Sequence, residues 1–268
     1  MDTILLLDVG NTNVKVGFAR TDGGVVSSYA LPTSQSGGSG GLDTSDSWGL
    51  KLLELCRVED VCPGEVLDIV ASSVVPPMNP VLTRAATRFF KRPMRFVPTD
   101  IPLPIENHYE RPAEVGADRL VTAYAAHCLS PAHTLIVVDF GTATTFDCVQ
   151  GGAYLGGLIC PGVLSSARAL ATGTAKLPHI TLEIDPGQLH IGRSTSQSLN
   201  QGLIYGFAAM VEGLVCRLAG TLGVTPGDVH CIGTGGFAAR IAEVCPALDD
   251  VREDLLLEGL LRAWKSAQ

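Results

Sequence analysis

ILLLDVGNTNVKVGFAR, residues 4–20, decides the fold. Ile4 to Gly10 is an apolar run broken by Asp8 and closed by a glycine, the pattern of a buried strand ending in a turn. Asn13 to Arg20 then alternates, with Val14, Val16 and Phe18 on one face. The same order recurs half a chain later. Asp8-Val9-Gly10-Asn11-Thr12-Asn13 is matched by Asp139-Phe140-Gly141-Thr142-Ala143-Thr144, each behind an apolar strand and ahead of a second one. A repeat at half the chain length implies two related α/β halves, each a twisted mixed sheet with helices on both faces. Their expected extents are residues 1–113 and 114–268.

Between these hairpins the chain reads as alternating strands and helices. VVSSYAL (25–31) is a third strand. Residues 34–47, SQSGGSGGLDTSDS, are Gly- and Ser-rich and read as a mobile surface loop. Helical spacing follows from Trp48 to Leu55, then the strand LDIVASSVV (67–75), ended by Pro76 and Pro77. A helix over 79–90 and a short strand at 95–98 lead into a proline-rich connection, 98–112, which marks the boundary between halves. Helices are expected at 115–129, 163–171 and 194–222, with two more at the C-terminus. Strands are expected at 134–141, 144–149, 153–162 and 229–236.

Composition narrows the function. The chain has 268 residues, 46% hydrophobic and 17% charged, with mean hydropathy +0.28. That excludes a disordered protein, which needs low hydrophobicity and dense charge. A net charge of −8 offers no basic face to nucleic acid or anionic lipid. No run reaches the roughly 18 uninterrupted apolar residues of a membrane span, and Asp2 replaces the basic start of a signal peptide. The eight cysteines form no C-x-x-C pair. They read as small buried hydrophobes in a reducing, cytoplasmic compartment rather than as a metal site.

Four segments carry chemistry. At Asp8–Lys15, Gly10 lets the chain bend so that the N–H groups of Asn11, Thr12 and Asn13 can face an anion. Asp8 can hold a Mg²⁺ ion bound to phosphate oxygens, and Lys15 adds a positive charge. The same residues also read as a plain hairpin. At the second copy, Asp139 can hold a cation while Thr142, Thr144 and Thr145 offer hydroxyls to phosphate. A Thr-rich hairpin would look no different. GTGGF (233–237) ends a strand and opens a helix, which suits adenine or ribose but is a common turn. Gly116-Ala117-Asp118-Arg119 opens a helix. Asp118 there is either a partner of the helix dipole or a general base for a hydroxyl, with Arg119 binding an anionic group of the same substrate. Tyr109 and the loop 101–112 would line that pocket.

DVGNTNVKVGF (8–18), SSVVPP (72–77), EVGADR (114–119), VVDFGTATTFDCV (137–149), GGLICPG (156–162), AKLP (175–178) and IGRSTSQSLNQGLIYG (191–206) occur in this order. Together they resemble type III pantothenate kinase, a bacterial family of the actin/hexokinase/heat-shock-protein ATPase superfamily. The resemblance implies two duplicated ribonuclease-H-like domains with a cleft between them, and a homodimer. It implies transfer of the γ-phosphoryl group of ATP to pantothenate, the first step of coenzyme A synthesis. By motif position Asp8, Val9, Gly10, Asn11, Thr12, Asn13, Val14, Lys15 and Thr142 would bind ATP. Asp118 would accept the proton. Tyr109, Gly116, Ala117, Asp118, Arg119 and Thr195 would bind pantothenate, with Ser194 the alternative to Thr195. Asp139 would hold a potassium or ammonium ion, needed beside Mg²⁺. Neither nucleic acid nor membrane is implied as a partner. Two other readings stay open on sequence alone: a sugar kinase or phosphatase of the same superfamily, and a non-catalytic regulator.

Overall fold

The computed structural model describes residues 2–33, 44–173, 182 and 188–268. The strands are β1 (Thr3–Val9), β2 (Asn13–Arg20), β3 (Val25–Pro32), β4 (Val66–Ser73), β5 (Met94–Phe96), β6 (Glu106–Asn107), β7 (Thr134–Phe140), β8 (Ala143–Gln150), β9 (Ala153–Pro161), β10 (Val229–Thr234) and β11 (Asp250–Val251). The α-helices are α1 (Ser45–Val58), α2 (Asn79–Ala85), α3 (Ala117–Leu129), α4 (Val163–Gly173), α5 (Thr195–Thr221), α6 (Ala238–Ala242) and α7 (Leu255–Ser266). Cα packing gathers residues 1–105, 111–125 and 254–268 into one unit, and 106–110 with 126–253 into a second. This differs from a single cut after residue 113. The start of α3 and all of α7 pack with the N-terminal sheet.

In the first unit the strand order is β3-β2-β1-β4-β5. β1 pairs antiparallel with β2 and parallel with β4, so it is central and reads as a continuous apolar run. β2 is two-faced. Val14, Val16 and Phe18 enter one core with Trp48 and Leu52 of α1 and Leu82 of α2. Ile4, Leu6 and Val70 point the other way, against Val121 and Tyr124 of α3 and Leu257, Leu260 and Trp264 of α7. Helices therefore cover both faces, as expected. Gly17 is what admits α7, because a side chain there would meet Leu257 Cδ1 at 2.8 Å.

In the second unit the order is β11-β10-β7-β8-β9-β6. Reading β9-β8-β7-β10-β11 repeats the first sheet strand for strand: two antiparallel pairings, then two parallel ones. The duplication is thus one of topology. β6 is an addition, pairing parallel with β9. Ile136, Val138, Phe140 and Phe146 share a core with Ile204, Phe207 and Val211 of α5 and Ile241 of α6. The turns of the two leading hairpins differ in length. Val9 pairs with Val14 and Asp8 with Lys15, whereas Phe140 pairs with Thr144 and Asp139 with Thr145. The second turn is one residue shorter, so Thr145 stands where Lys15 stands in the first, and the residue-by-residue match slips after the glycine.

Several expectations shift. Residues 34–43 of the expected Gly/Ser loop, and the segment 175–178, lie outside the described residues. Ser45–Ser47, expected in that loop, form the first turn of α1, because Thr44 Oγ1 accepts the Ser47 N–H at 3.2 Å and caps it. The helix expected over 79–90 changes from α to π winding at Ala86 and stops at Lys91, whose φ is 58°. Of the cysteines, Cys56, Cys148, Cys231 and Cys245 are buried, but Cys62, Cys128 and Cys216 are exposed. α5 is the one described helix long and apolar enough to cross a membrane.

Candidate active site

In the first unit Asp8 is half-buried near the end of β1. Lys15 faces it across β2 and Ser72 across β4. The turn beyond is pinned from behind. Gly10 donates its N–H to Asn13 O at 3.0 Å, while Thr33 takes both turn carbonyls: its Oγ1 donates to Gly10 O at 2.6 Å and its N–H to Thr12 O at 3.0 Å. The acceptors of the turn are drawn inward, and Asn11, Thr12 and Asn13 form its exposed edge. A hairpin and an exposed edge open to an anion are compatible readings of this one turn.

Lys15 is not directed at that edge alone. Its Nζ lies 2.6 Å from Asp254 Oδ1, the side chains being 30% and 32% exposed. Ser28 Oγ donates to the other oxygen of Asp254 at 3.2 Å. This half-exposed ion pair, worth about 0.5–1 kcal/mol, follows from the seating of α7, which Asp254 precedes.

Asp118 reaches the same end of the sheet. Val74, just past β4, donates its N–H to Val9 O at 3.1 Å. Val74 Cγ1 lies 3.4 Å from the point where a Cβ on Gly116 would sit, and that point overlaps Asp118 Oδ1. The carboxylate is therefore folded back over Gly116, beside the ends of β1 and β4. Oδ1 accepts the Arg119 N–H at 2.8 Å, and Thr122 Oγ1 donates to Asp118 O at 2.7 Å. Burial pushes the carboxyl above the ordinary aspartate value, opposed by the Arg119 N–H and the Arg119 charge. A carboxylate with raised proton affinity, held rigidly in a helix first turn, is suited to take a proton from an alcohol. Its role towards the first-turn N–H groups coexists with this.

In the second unit Asp139 is half-buried near the end of β7, with Thr145 across β8 and Thr234 across β10. Gly235 follows with φ +86°; a side chain there would overlap Asp139 Oδ1 and lie 2.8 Å from Phe140 O. The GTGGF turn is thereby wrapped over Asp139, a convergence the sequence did not suggest. The three threonines separate. Thr142 is exposed. Thr144 is fully buried on the face of Phe140, and its hydroxyl has no hydrogen-bond partner among the described residues. Thr145 donates to Asp147 Oδ2 at 3.2 Å. Of the three, Thr142 alone is exposed at the turn. Its carbonyl accepts Ser165 Oγ at 2.7 Å, and a side chain on Gly162 would overlap that carbonyl. The N-terminus of α4 thus abuts the turn, where helix N–H groups favour an anion.

Tyr109 lies across Gly156, whose φ of +114° a glycine supplies, and packs on Tyr154 with ring centroids 6.4 Å apart. Ser194 Oγ accepts the Gln197 N–H at 3.3 Å as the cap of α5, which leaves the exposed Thr195 as the hydroxyl not used in capping. Among the described residues no three His, Cys, Asp or Glu side chains cluster as a metal site. Cation binding at Asp139 would use oxygen donors: its carboxylate, the Phe140 carbonyl beside Gly235, and the facing hydroxyls. That set fits a hard cation and not a soft one. Sequence reasoning missed Ser72, Asp147, Tyr154 and Asp254. The first three are strand residues with nothing unusual in spacing, and Asp254 meets Lys15 from the far end of the chain.

Residues 4–217 match the family described as type III pantothenate kinase. Proteins of that name from Nitratidesulfovibrio vulgaris (strain DSM 19637 / Miyazaki F) and Lawsonia intracellularis are 57% and 43% identical. They cover 96% and 97% of this chain, and the matches span 94% of each relative. Among solved structures, a Campylobacter jejuni protein assigned by its description to the Baf family of transcriptional activators superposes with TM-score 0.59 at 16% identity, over 98% of both chains. An inorganic polyphosphate/ATP-glucomannokinase from Arthrobacter sp. strain KM gives 0.51 at 13%, over 100% of both. These distant likenesses establish an actin-like ATPase and sugar-kinase fold. On the extent and identity of the sequence matches, the chain belongs to the type III pantothenate kinase family.

Proposed function

We propose that this chain transfers the γ-phosphoryl group of ATP to the primary hydroxyl of pantothenate, giving 4'-phosphopantothenate for coenzyme A synthesis. The observation that carries the chemistry is Asp118, a half-buried carboxylate with raised proton affinity folded over Gly116 beside the end of Asp8's strand. Asp118 accepts the hydroxyl proton as the oxygen attacks phosphorus. Arg119 and the Gly116–Ala117 backbone bind the acceptor and orient it, which supplies much of the rate in phosphoryl transfer. The exposed edge Asn11–Asn13 of the first turn holds phosphate oxygens, within a loop running from Asp8 through Val9, Gly10 and Val14 to Lys15. Asp8 would hold the divalent ion that accompanies ATP, and that ion, when bound, would neutralise phosphate charge. In the second unit Thr142 contacts the nucleotide, and Tyr109 and Thr195 contact pantothenate.

The finer parts of the reading have their own supports. A potassium or ammonium ion at Asp139 fits the oxygen donors gathered there. A homodimer fits α5, whose outward face carries Gly202, Gly206, Gly213 and Gly220, none with a neighbour within 4 Å of a Cβ position. An apolar helix of this kind is ordinarily covered, and a second copy would cover it. Cytoplasmic residence fits eight cysteines that are all free. The test is ADP release from ATP across pantothenate, hexoses and polyphosphate, with the product mass determined. Phosphopantothenate as the product supports the reading, and turnover confined to a sugar would replace it.

A further inference from the structure

Beside Asp139 lies a carboxylate to which the reaction above gives no task. Asp147 is 1% exposed. Tyr154 Oη donates to its Oδ1 at 2.9 Å, and Thr145 Oγ1 donates to its Oδ2 at 3.2 Å. A threonine hydroxyl has one proton. With that proton directed at Asp147, Thr145 presents only lone pairs elsewhere. Thr145 is the cross-strand partner of Asp139 and projects from the same face. The Asp139 carboxylate and the Phe140 carbonyl converge beside Gly235. The Asp139 carboxylate, the Phe140 carbonyl and the Thr145 lone pairs are then acceptors, and together they attract a cation and repel phosphate. Thr145, read from sequence as a hydroxyl offered to phosphate, offers lone pairs once its proton is on Asp147. On the other side of Asp147, the Tyr154 ring packs against Tyr109, which is itself laid on Gly156.

We propose that Asp147 is a positioning residue that couples a monovalent cation at Asp139 to the acceptor alcohol at Tyr109, through Thr145 on one side and Tyr154 on the other. The inference rests on the reading in the preceding section. A cation drawing on the Thr145 oxygen makes its hydrogen a better donor to Asp147 and fixes that carboxylate. The fixed carboxylate holds the Tyr154 hydroxyl, and with it the ring that backs Tyr109. Linkage is reciprocal, so each ligand must tighten the other by the same factor.

The measurement is calorimetric binding of pantothenate to the full chain with a non-hydrolysable ATP analogue, in potassium and in choline. Wild-type protein is expected to bind pantothenate about tenfold more tightly in potassium. Tyr154→Phe keeps the ring and loses one hydroxyl, so it should fold. It and Asp147→Asn are expected to bring the potassium-to-choline ratio within about twofold of one. Thr145→Val should abolish the ratio, while Thr145→Ser, which retains the hydroxyl, should restore it. A wild-type ratio of one, or a full ratio in Tyr154→Phe, overturns the proposal. Wild-type turnover of pantothenate in saturating potassium reports on the enzymatic reading separately.

Discussion

Asp118→Asn isolates the proton-transfer role because little else changes. The amide oxygen of asparagine can still accept the Arg119 N–H now held at 2.8 Å, and its volume fits over Gly116. General-base catalysis contributes about 10²–10⁴ in rate, or roughly 3–5 kcal/mol at about 1.4 kcal/mol per decade. Turnover of pantothenate should fall by that factor, with the KM for ATP within about threefold of wild type. Stability should not fall. Burial raises the folded-state pKa of Asp118, so the stability it lends is full below the unfolded-chain pKa and is lost as pH climbs through the folded one. Above the folded-state pKa none of it remains for the substitution to remove, and there the melting temperature should hold or rise. In wild type the acidic limb of kcat/KM should lie above the ordinary carboxylate range, and in the variant it should vanish from the residual rate. Coupled ADP release between pH 4 and 9, with thermal melting, tests all of this. Retention of more than a third of the activity, or a large drop in melting temperature with activity loss, would refute the assignment.

Gly116→Ala places a methyl group on Asp118 Oδ1; displacing the carboxylate by an ångström should cost about 10²-fold in kcat, with melting by circular dichroism largely unchanged. Alkylation at pH 8 followed by mass spectrometry of native protein should modify Cys62 and Cys128, which are exposed. Cys56, whose thiol burial pushes up to about 11, and Cys231, pushed up by burial and by the Asp249 charge, should stay unmodified until unfolding.

Much of the first sheet was legible because its strands carry their own pattern. Ile4–Leu7 announces a central strand, and Val14, Val16 and Phe18 announce a two-faced one. The two Asp-x-Gly turns were legible for the same reason. What escaped was decided by pairing rather than by local pattern. β6 is two residues inside a proline-rich connection, defined by β9 and by nothing in its own sequence. The start of α1 lay hidden in a polar stretch because Thr44 and Asp46 look like loop residues until the cap is seen. Lys15 read as a plain positive charge, since Asp254 arrives only through α7 seated on Gly17. The polarity of Thr145 could not be read at all, because it depends on which way one hydroxyl points.

The unequal hairpin turns make the leading hairpins of the two halves inequivalent. If the present second hairpin closed through a turn as long as the first, Phe146 would face Asp139, and Thr145 and Asp147 would swing to the opposite side of the sheet. As the chain stands, the longer turn sets Asp8 opposite a lysine and the shorter one sets Asp139 opposite a threonine. One residue of turn length thus decides which neighbour each acidic strand end is given.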